Sequence, residues 1–400
     1  MTDPGDPRRD LLLELLRAGL SSVDGRHCVR EALRAAPLAP AAGGSVWVGA
    51  VGKAASAMAL GARDVLGERI ERLLIITRDG HAPRELEGCA GVELIASAHP
   101  VPDERSLRAG ERLLEWVERL PETAQPLFLI SGGASSLVEV LEPGLTLADL
   151  ERFTLHELAA GTAIGELNRK RIALSRVKGG RLTARLRGRA ARALFVSDVP
   201  GDDPGVIGSG LLGPASAGAD RVERTVIASV RQAVEGAADA ARARGLGVHA
   251  PRGRFDDDAL RLAARFAHEL RLAPGQLCVW GGESTVQLPP RPGHGGRNQH
   301  LALAAARLIA GQSDLLLLAA GTDGTDGVSE DAGALVDAET CGRIALAGLD
   351  VDRCLALADS GTALAASGDL VHTGPTGTNV GDLVIGLKLS LAAARRLAAP

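Results

Sequence analysis

The chain reads as an α/β protein: a Rossmann-like, mostly parallel sheet domain with helices on both faces, followed by a second, smaller α/β domain. Three observations carry that expectation. Short aliphatic runs such as Val46–Val48, Leu73–Thr77, Leu127–Ile130 and Leu194–Ser197 alternate with helix-forming stretches, as βαβ units require. Aromatic residues are only 2% of the 400 and Tyr is absent, so the core must be Leu, Val and Ala. That composition favours helix-covered sheets over aromatic-rich sandwiches. Several of the aliphatic runs also end in glycine-rich turns, and ligands of parallel sheets lie beyond the carboxyl ends of the strands.

Taken in order, Asp10 is placed to cap a helix reaching Leu20, with Leu12, Leu13 and Leu16 as its buried stripe. A second helix covers Val29–Ala35 and stops before Pro37. Val46–Val48 is a buried strand, Gly49–Lys53 turns the chain, and Ala54–Leu60 is helical. Strand, glycine turn and helix aim backbone N–H groups and a positive dipole end at one point. The Lys53 ammonium can swing to the same point. The spacing fits neither GxxxxGK[ST] nor GxGxxG, so alone it reads equally as a plain βα turn with a solvated lysine. Leu73–Thr77 and Val92–Ala96 are further strands, and Ser106 begins a helix to Leu120. After Leu127–Ile130 comes Ser131-Gly132-Gly133-Ala134-Ser135-Ser136. Its glycines allow close backbone approach and its serines offer hydroxyls to an oxyanion; a capped Ser/Gly turn is the plainer reading.

Asn168–Arg181 packs six cations beside Gly179-Gly180, a candidate contact for an anionic substrate against the alternative of a solvated basic face. Leu194–Ser197 leads into a proline-stiffened loop carrying Asp198, Asp202 and Asp203. Carboxylates at a strand end suit a hard cation such as Mg²⁺, although surface turns also favour Asp, Pro and Gly. Residues 217–244 read as helix, broken at Gly245–Gly247. The expected domains are therefore 1–245 and 246–387, with a terminal helix in 388–400 packing back on the first.

In the second half, Asp256-Asp257-Asp258 reads as the cap of a helix Ala259–Leu270, and Leu277–Trp280 as a strand before Gly281-Gly282-Glu283-Ser284-Thr285. Residues 289–298 are too rich in Gly and Pro for regular structure and end at a helix Gln299–Ala310. Arg297 then sits at a helix N-terminus, where the dipole disfavours a cation, and an anion between them is expected. The strand Asp314–Ala320 runs into Gly321-Thr322-Asp323-Gly324-Thr325-Asp326-Gly327. Counting from Asp323, the twelfth place is Ala334 rather than glutamate, which excludes an EF-hand. Leu383–Leu387 is a closing strand before a last helix, Ser390–Ala398.

A net charge of -4, with no basic tract interleaved with aromatics, argues against nucleic acid. Cys28, Cys89, Cys278, Cys341 and Cys354 are scattered without a CxxC pair, which fits neither a disulfide framework nor a zinc site. The N-terminal stretch lacks the apolar run of a signal peptide, and no uncharged segment reaches the ~18 residues of a membrane span. A cytoplasmic protein is the expectation.

The segments GAVGKAASAM, AHPVPDERSLRAGERLLE, ISGGASSL, NRKRIALSRVKGGRL, SDVPGDDPGVIGSG, GGESTV, GGRNQHLAL, AAGTDGTDG and GPTGTNVGDL, in this order, resemble the class II glycerate 2-kinase family with a MOFRL-type C-terminal domain. The resemblance implies an ATP- and Mg²⁺-dependent kinase acting on D-glycerate in a cleft between two domains, and a homodimer. On the matching positions it implies Lys53 and Arg297 as catalytic cations, and Asp323 is a candidate base or orienter of the attacking hydroxyl. Ser131, Gly132, Gly133, Ser135, Lys178 and Gly179 would hold the nucleotide, and Asp198, Asp202 and Asp203 the metal. Arg171, Arg297, Glu283 and Asn298 would hold the acceptor. Three departures bear mainly on that acceptor. Arg171-Ile172-Ala173-Leu174-Ser175 stands where members carry RKHLS, Ala358-Asp359-Ser360-Gly361 where they often read NDSY, and Ala134 where a third glycine is common. The alternatives are a kinase for another small sugar acid, a hydroxypyruvate or tartronate reductase, which lacks GxGxxG here, and a non-catalytic sugar-acid or nucleotide sensor.

Overall fold

The computed structural model describes residues 6–38, 44–82, 84–160 and 164–397. They form two compact units. The first is Val23–Ser229 with Gly377–Val380; the second is the chain up to Ser22, Val230–Thr376 and the residues from Gly381 onward.

The first unit is built on six strands: β1 (Val46–Val51), β2 (Ile70–Arg78), β3 (Val92–Ser97), β4 (Gln125–Ser131), β5 (Ala191–Val196) and β6 (Val222–Ala228). Their order is β3-β2-β1-β4-β5-β6 and every neighbouring pair is parallel. The aliphatic runs are central strands buried on both faces, as continuous apolar sequence requires. Phe128, Ile130, Phe195, Leu113 and Trp116 fill one side of the sheet, with the Trp116 ring edge-on to Phe128 at 5.8 Å. The strand order reverses direction between β1 and β4. Turns after those two strands therefore face one another across the point where α/β sheets bind ligands.

The second unit carries β7 (Val248–His249), β8 (Phe255–Asp258), β9 (Leu277–Thr285), β10 (Leu315–Gly321), β11 (Gly333–Asp337), β12 (Leu370–Val371) and β13 (Asp382–Lys388). The order is β12-β11-β10-β13-β9-β7, with β8 also on β9. Its centre is antiparallel, while β7 and β8 run parallel to β9. The helix Arg297–Ile309 is buried from Asn298 to Ala306. It packs against β10, β11 and the helix Ala259–Leu272. A helix apolar on nearly all sides belongs in a core, and its alanines let neighbours approach closely. Asp258 caps the helix Ala259–Leu272, accepting from Leu260 N at 3.0 Å and Arg261 N at 3.3 Å.

Two expectations need correction. Residues 217–244 are not all helix: Val222–Ala228 is strand β6 and the helix is Val230–Ala243. Val222, Thr225, Val226 and Ile227 are β-branched and stiff at χ1, and the open edge of β5 offers them a partner. The compact units also divide the chain elsewhere than at 245. The helix Pro7–Ser22 packs on Val230–Ala243 within the second unit, where a methyl on Gly19 would lie 2.8 Å from Ala233 O. The terminal helix Leu391–Leu397 packs on Pro7–Ser22 in the same unit, not on the parallel-sheet unit. Among the described residues no helix is long and apolar enough to cross a membrane.

Candidate active site

At the switch point of the first unit the turns after β1 and β4 are tied directly to each other. Lys53 N donates to Gly132 O at 2.9 Å, and Ala54 N donates to Ser131 Oγ at 3.0 Å. Gly52 has φ +130°, and a methyl there would lie 2.1 Å from Ser131 Oγ, so only glycine fits. The Ser131 hydroxyl, expected to face an oxyanion, thus also holds the neighbouring turn. Gly132 admits the next loop: a methyl on it would lie 1.9 Å from Asp198 Oδ2 and 2.2 Å from Asn379 Nδ2. Asn379 Nδ2 donates to Asp198 Oδ2 at 3.3 Å. Gly133, at φ +84°, admits two side chains: a methyl would lie 3.0 Å from Lys53 Cγ and 3.2 Å from His99 Cδ2. Lys53, Ser131–Gly133 and Asp198 therefore lie together. They are joined by His99 and Asn379, which stand in the AHPVPDE and GPTGTN segments and were not singled out from the sequence.

Other expected residues sit differently. Ser135 Oγ is 2.7 Å from Ser209 Oγ, and Gly179 N donates to Ser209 O at 3.0 Å, so Ser209 links the serine turn to Gly179. Lys178 departs from its expected nucleotide contact. It is 1% exposed, and its ammonium donates to Glu139, itself 0% exposed. A buried ammonium needs such a partner. Burial depresses the Lys178 pKa, and Glu139 opposes that shift. Arg171 shares this surrounding: burial lowers its pKa and the Glu139 charge raises it.

Of the three aspartates expected at a metal, Asp198 alone lies on the Gly132 turn among the contacts described. Asp203 Oδ1 accepts from Gly205 N at 2.7 Å and its carbonyl accepts from Val206 N and Ile207 N, so it caps its own loop. Asp202 follows Gly201 in left-handed backbone, at φ +52° after +78°. Among the described residues no group of three or more His, Cys, Asp or Glu is arranged around a metal position. Mg²⁺ does not demand one, since it keeps several waters and takes one or two carboxylates plus substrate phosphates. A single carboxylate against a glycine turn fits that donor set.

The second unit gathers Glu283, Arg297, Asn298 and Asp382. Arg297 donates to Glu283 Oε1 at 2.5 Å and to Asp382 Oδ1 at 3.1 Å, with Nε 3.0 Å from Asp382 Oδ2. Asn298 Nδ2 donates to Asp382 Oδ1 at 3.0 Å. The anion anticipated beside Arg297 is thus supplied by the protein. Asp326 completes the remedy at the helix start, accepting from Asn298 N at 3.1 Å and Gln299 N at 2.7 Å. The glycine before the helix permits it, because a methyl on Gly296 would lie 2.3 Å from Asp326 Cγ. Burial works against the Arg297 charge, but Asp382 and Glu283 outweigh it and hold its pKa above the ordinary value. Burial also pushes Asp382 up, against the pull of Arg297, and raises Asp326 to about 7 despite its two backbone donors. Asp323 stands beyond the end of β10, 6% exposed. Its Oδ1 accepts from Thr325 N and Thr325 Oγ1, both at 3.1 Å.

Known proteins match this chain over most of its length. The family model DUF4147, a domain of unknown function, matches residues 11–240, and the MOFRL family model matches residues 276–382. The D-glycerate 2-kinase of Thermotoga maritima is 34% identical, over 97% of this chain and 100% of that protein. A putative hydroxypyruvate reductase of Agrobacterium vitis is also 34% identical, over 94% of this chain and 93% of that one. The crystal structure of glycerate kinase from Thermotoga maritima matches with a TM-score of 0.83 and 34% identity, covering 96% of this chain and 100% of that chain.

Proposed function

The chain belongs to the glycerate kinase family with a MOFRL C-terminal domain, and from that premise we propose that it transfers the γ-phosphoryl group of ATP to the 2-hydroxyl of D-glycerate, giving 2-phosphoglycerate and ADP. The observation that carries this reading is the pair of interlocked turns at the β1/β4 switch point, with Lys53 and Asp198 packed on Gly132 and Gly133.

Phosphoryl transfer asks a protein for positioning and charge neutralisation more than for covalent chemistry. Gly132 and Gly133 let phosphate oxygens come close to the backbone, and Lys53 sets its charge beside them. Ser135, backed by Ser209 and Gly179, steadies the same turn. Asp198, steadied by Asn379, is the carboxylate that would hold Mg²⁺, which when bound neutralises phosphate charge. In the second unit, Arg297 is kept charged by Asp382 and Glu283 and is assigned to the acceptor's carboxylate, for which its planar fork is suited. Glu283 and Asp382 hold that fork, Asn298 steadies Asp382, and Asp323 is assigned to orient the attacking hydroxyl. A cytoplasmic homodimer belongs to the same reading.

A coupled ADP-release assay with D-glycerate, L-glycerate and related acids tests the proposal. D-glycerate should give the largest kcat/KM. The name of the Agrobacterium relative makes hydroxypyruvate reduction the rival worth running alongside. Oxidation of a reduced nicotinamide by hydroxypyruvate, with no ADP formed from any acid, would replace the kinase reading.

A further inference from the structure

His99 follows β3, on the same carboxyl-terminal side of the sheet as the turns after β1 and β4. Three facts about it stand together. Its imidazole edge lies over Gly133: a methyl there would be 3.2 Å from Cδ2 and 3.4 Å from Nε2, so Nε2 belongs to the edge that faces the turn. The same absent methyl would lie 3.0 Å from Lys53 Cγ, so one glycine, at φ +84°, makes room for both side chains at once. His99 is only half-buried. It also walls a cavity of about 350 Å³ with Arg78, Ser97, Asp103 and Arg105.

The Arg105 charge is paired with two carboxylates of the same cavity wall, Asp103 at 2.9 Å and Asp79 at 2.5 Å, and Arg78 Nε donates to His81 Nε2 at 2.7 Å. Neither arginine is left as a bare charge for an anion. The imidazole borders both the cavity and the glycine turn.

Resting on the kinase reading, we propose that His99 is a further substrate-binding residue of the Lys53 turn. It donates a ring N–H from Nε2 to negatively charged oxygen held over Gly132 and Gly133. Lys53 supplies a point charge on a flexible stem; His99 supplies a fixed direction. The ligand chemistry it serves is a phosphoryl oxygen or carboxylate of a small anionic substrate. Gly133 is then a specificity element in its own right, because a side chain at 133 would be strained at φ +84° and would press on both Lys53 Cγ and the His99 ring edge.

The test uses the full chain and compares wild type with His99→Ala, His99→Gln and His99→Asn. A glutamine amide N–H reaches about as far as Nε2, whereas that of asparagine stops near Nδ1. His99→Ala should lower kcat/KM for glycerate by ~10²-fold, the usual loss for one preorganised donor. His99→Gln should recover about tenfold or more of that loss, and His99→Asn should not. A His99→Ala enzyme within about threefold of wild type, or Gln and Asn variants of equal activity, overturns the proposal. Should His99→Ala fail to fold, the Gln–Asn comparison decides alone. Should wild type release no ADP with any acid, the kinase reading has failed, and thermal stabilisation by Mg–ATP becomes the readout. Stabilisation of wild type that is lost in His99→Asn but kept in His99→Gln supports His99, and equal stabilisation in all three overturns it.

Discussion

A methyl added at position 132 would lie 1.9 Å from Asp198 Oδ2, closer than any pair of non-bonded heavy atoms can stand. Gly132→Ala should therefore move Asp198 and Asn379 off the turn and cut kcat/KM by ~10²-fold, the scale of an ångström's misplacement in a site. Wild-type turnover in that variant would detach the acidic loop from the chemistry. The two cations proposed for the site should fail differently. Lys53 is half-buried, and Lys53→Ala should lower kcat by ~10²–10³-fold with the melting temperature little changed. Arg297→Ala leaves Asp382, which is 0% exposed, with the donors from Asn298 and Ser284 but without its cation. Because the Arg297 side chain is 35% exposed, the variant should lose less than the roughly 3–5 kcal/mol of a fully buried pair. Its melting temperature should drop along with its activity; an unchanged melt would show that the Arg297–Asp382 pair carries no stability. Lys53 and Gly132 were legible in sequence because a strand, a glycine turn and a helix are consecutive. The partners of Arg297 were not, since Asp382 lies 85 residues away and no local pattern joins them.

The helix Arg297–Ile309 shows what an element can hide. Its polar N-terminus reads from sequence as a misplaced cation, yet Asp326 and Asp382 rebalance it from other parts of the chain. Burial raises Asp326 from 3.8 to about 7, so between those pH values the folded protein holds a proton that the unfolded chain has released. Stability should then fall as pH rises through that window, by at most about 4 kcal/mol from this group. Asp326→Asn removes the titration, so the stability of wild type relative to that variant should decline from about pH 4 to about pH 7. A difference that stays constant across the window would contradict the shifted carboxyl. Element types were readable wherever the periodic signal was long and unmixed, as in the helix Ala259–Leu272. They were lost where Val222–Ala228 adjoins an Ala-rich helix, because the sheet edge, not local propensity, decides that segment. The short strands β8, β11 and β12 also escaped, each too brief to show alternation.

For the whole molecule, the parallel sheet and its switch point followed from alternating runs and glycine turns. The division of the chain did not. The second unit takes in both the helix Pro7–Ser22 and the helix Val230–Ala243, and the first unit takes in Gly377–Val380. Such assignments depend on which apolar faces meet, which no linker-like composition announces. Gly377–Val380 bears on the proposed site, because it brings Asn379 to Asp198 from near the far end of the chain. Phosphoryl transfer as proposed requires the triphosphate to lie on the interlocked turns of the first unit. A crystal structure with Mg²⁺ and a non-hydrolysable ATP analogue tests this most directly. The account predicts phosphate oxygens within roughly 3 Å of Lys53 Nζ and of the Gly132–Gly133 backbone, with Asp198 on the metal. A triphosphate bound away from Gly132 and Gly133, with Lys53 pointing elsewhere, would contradict it.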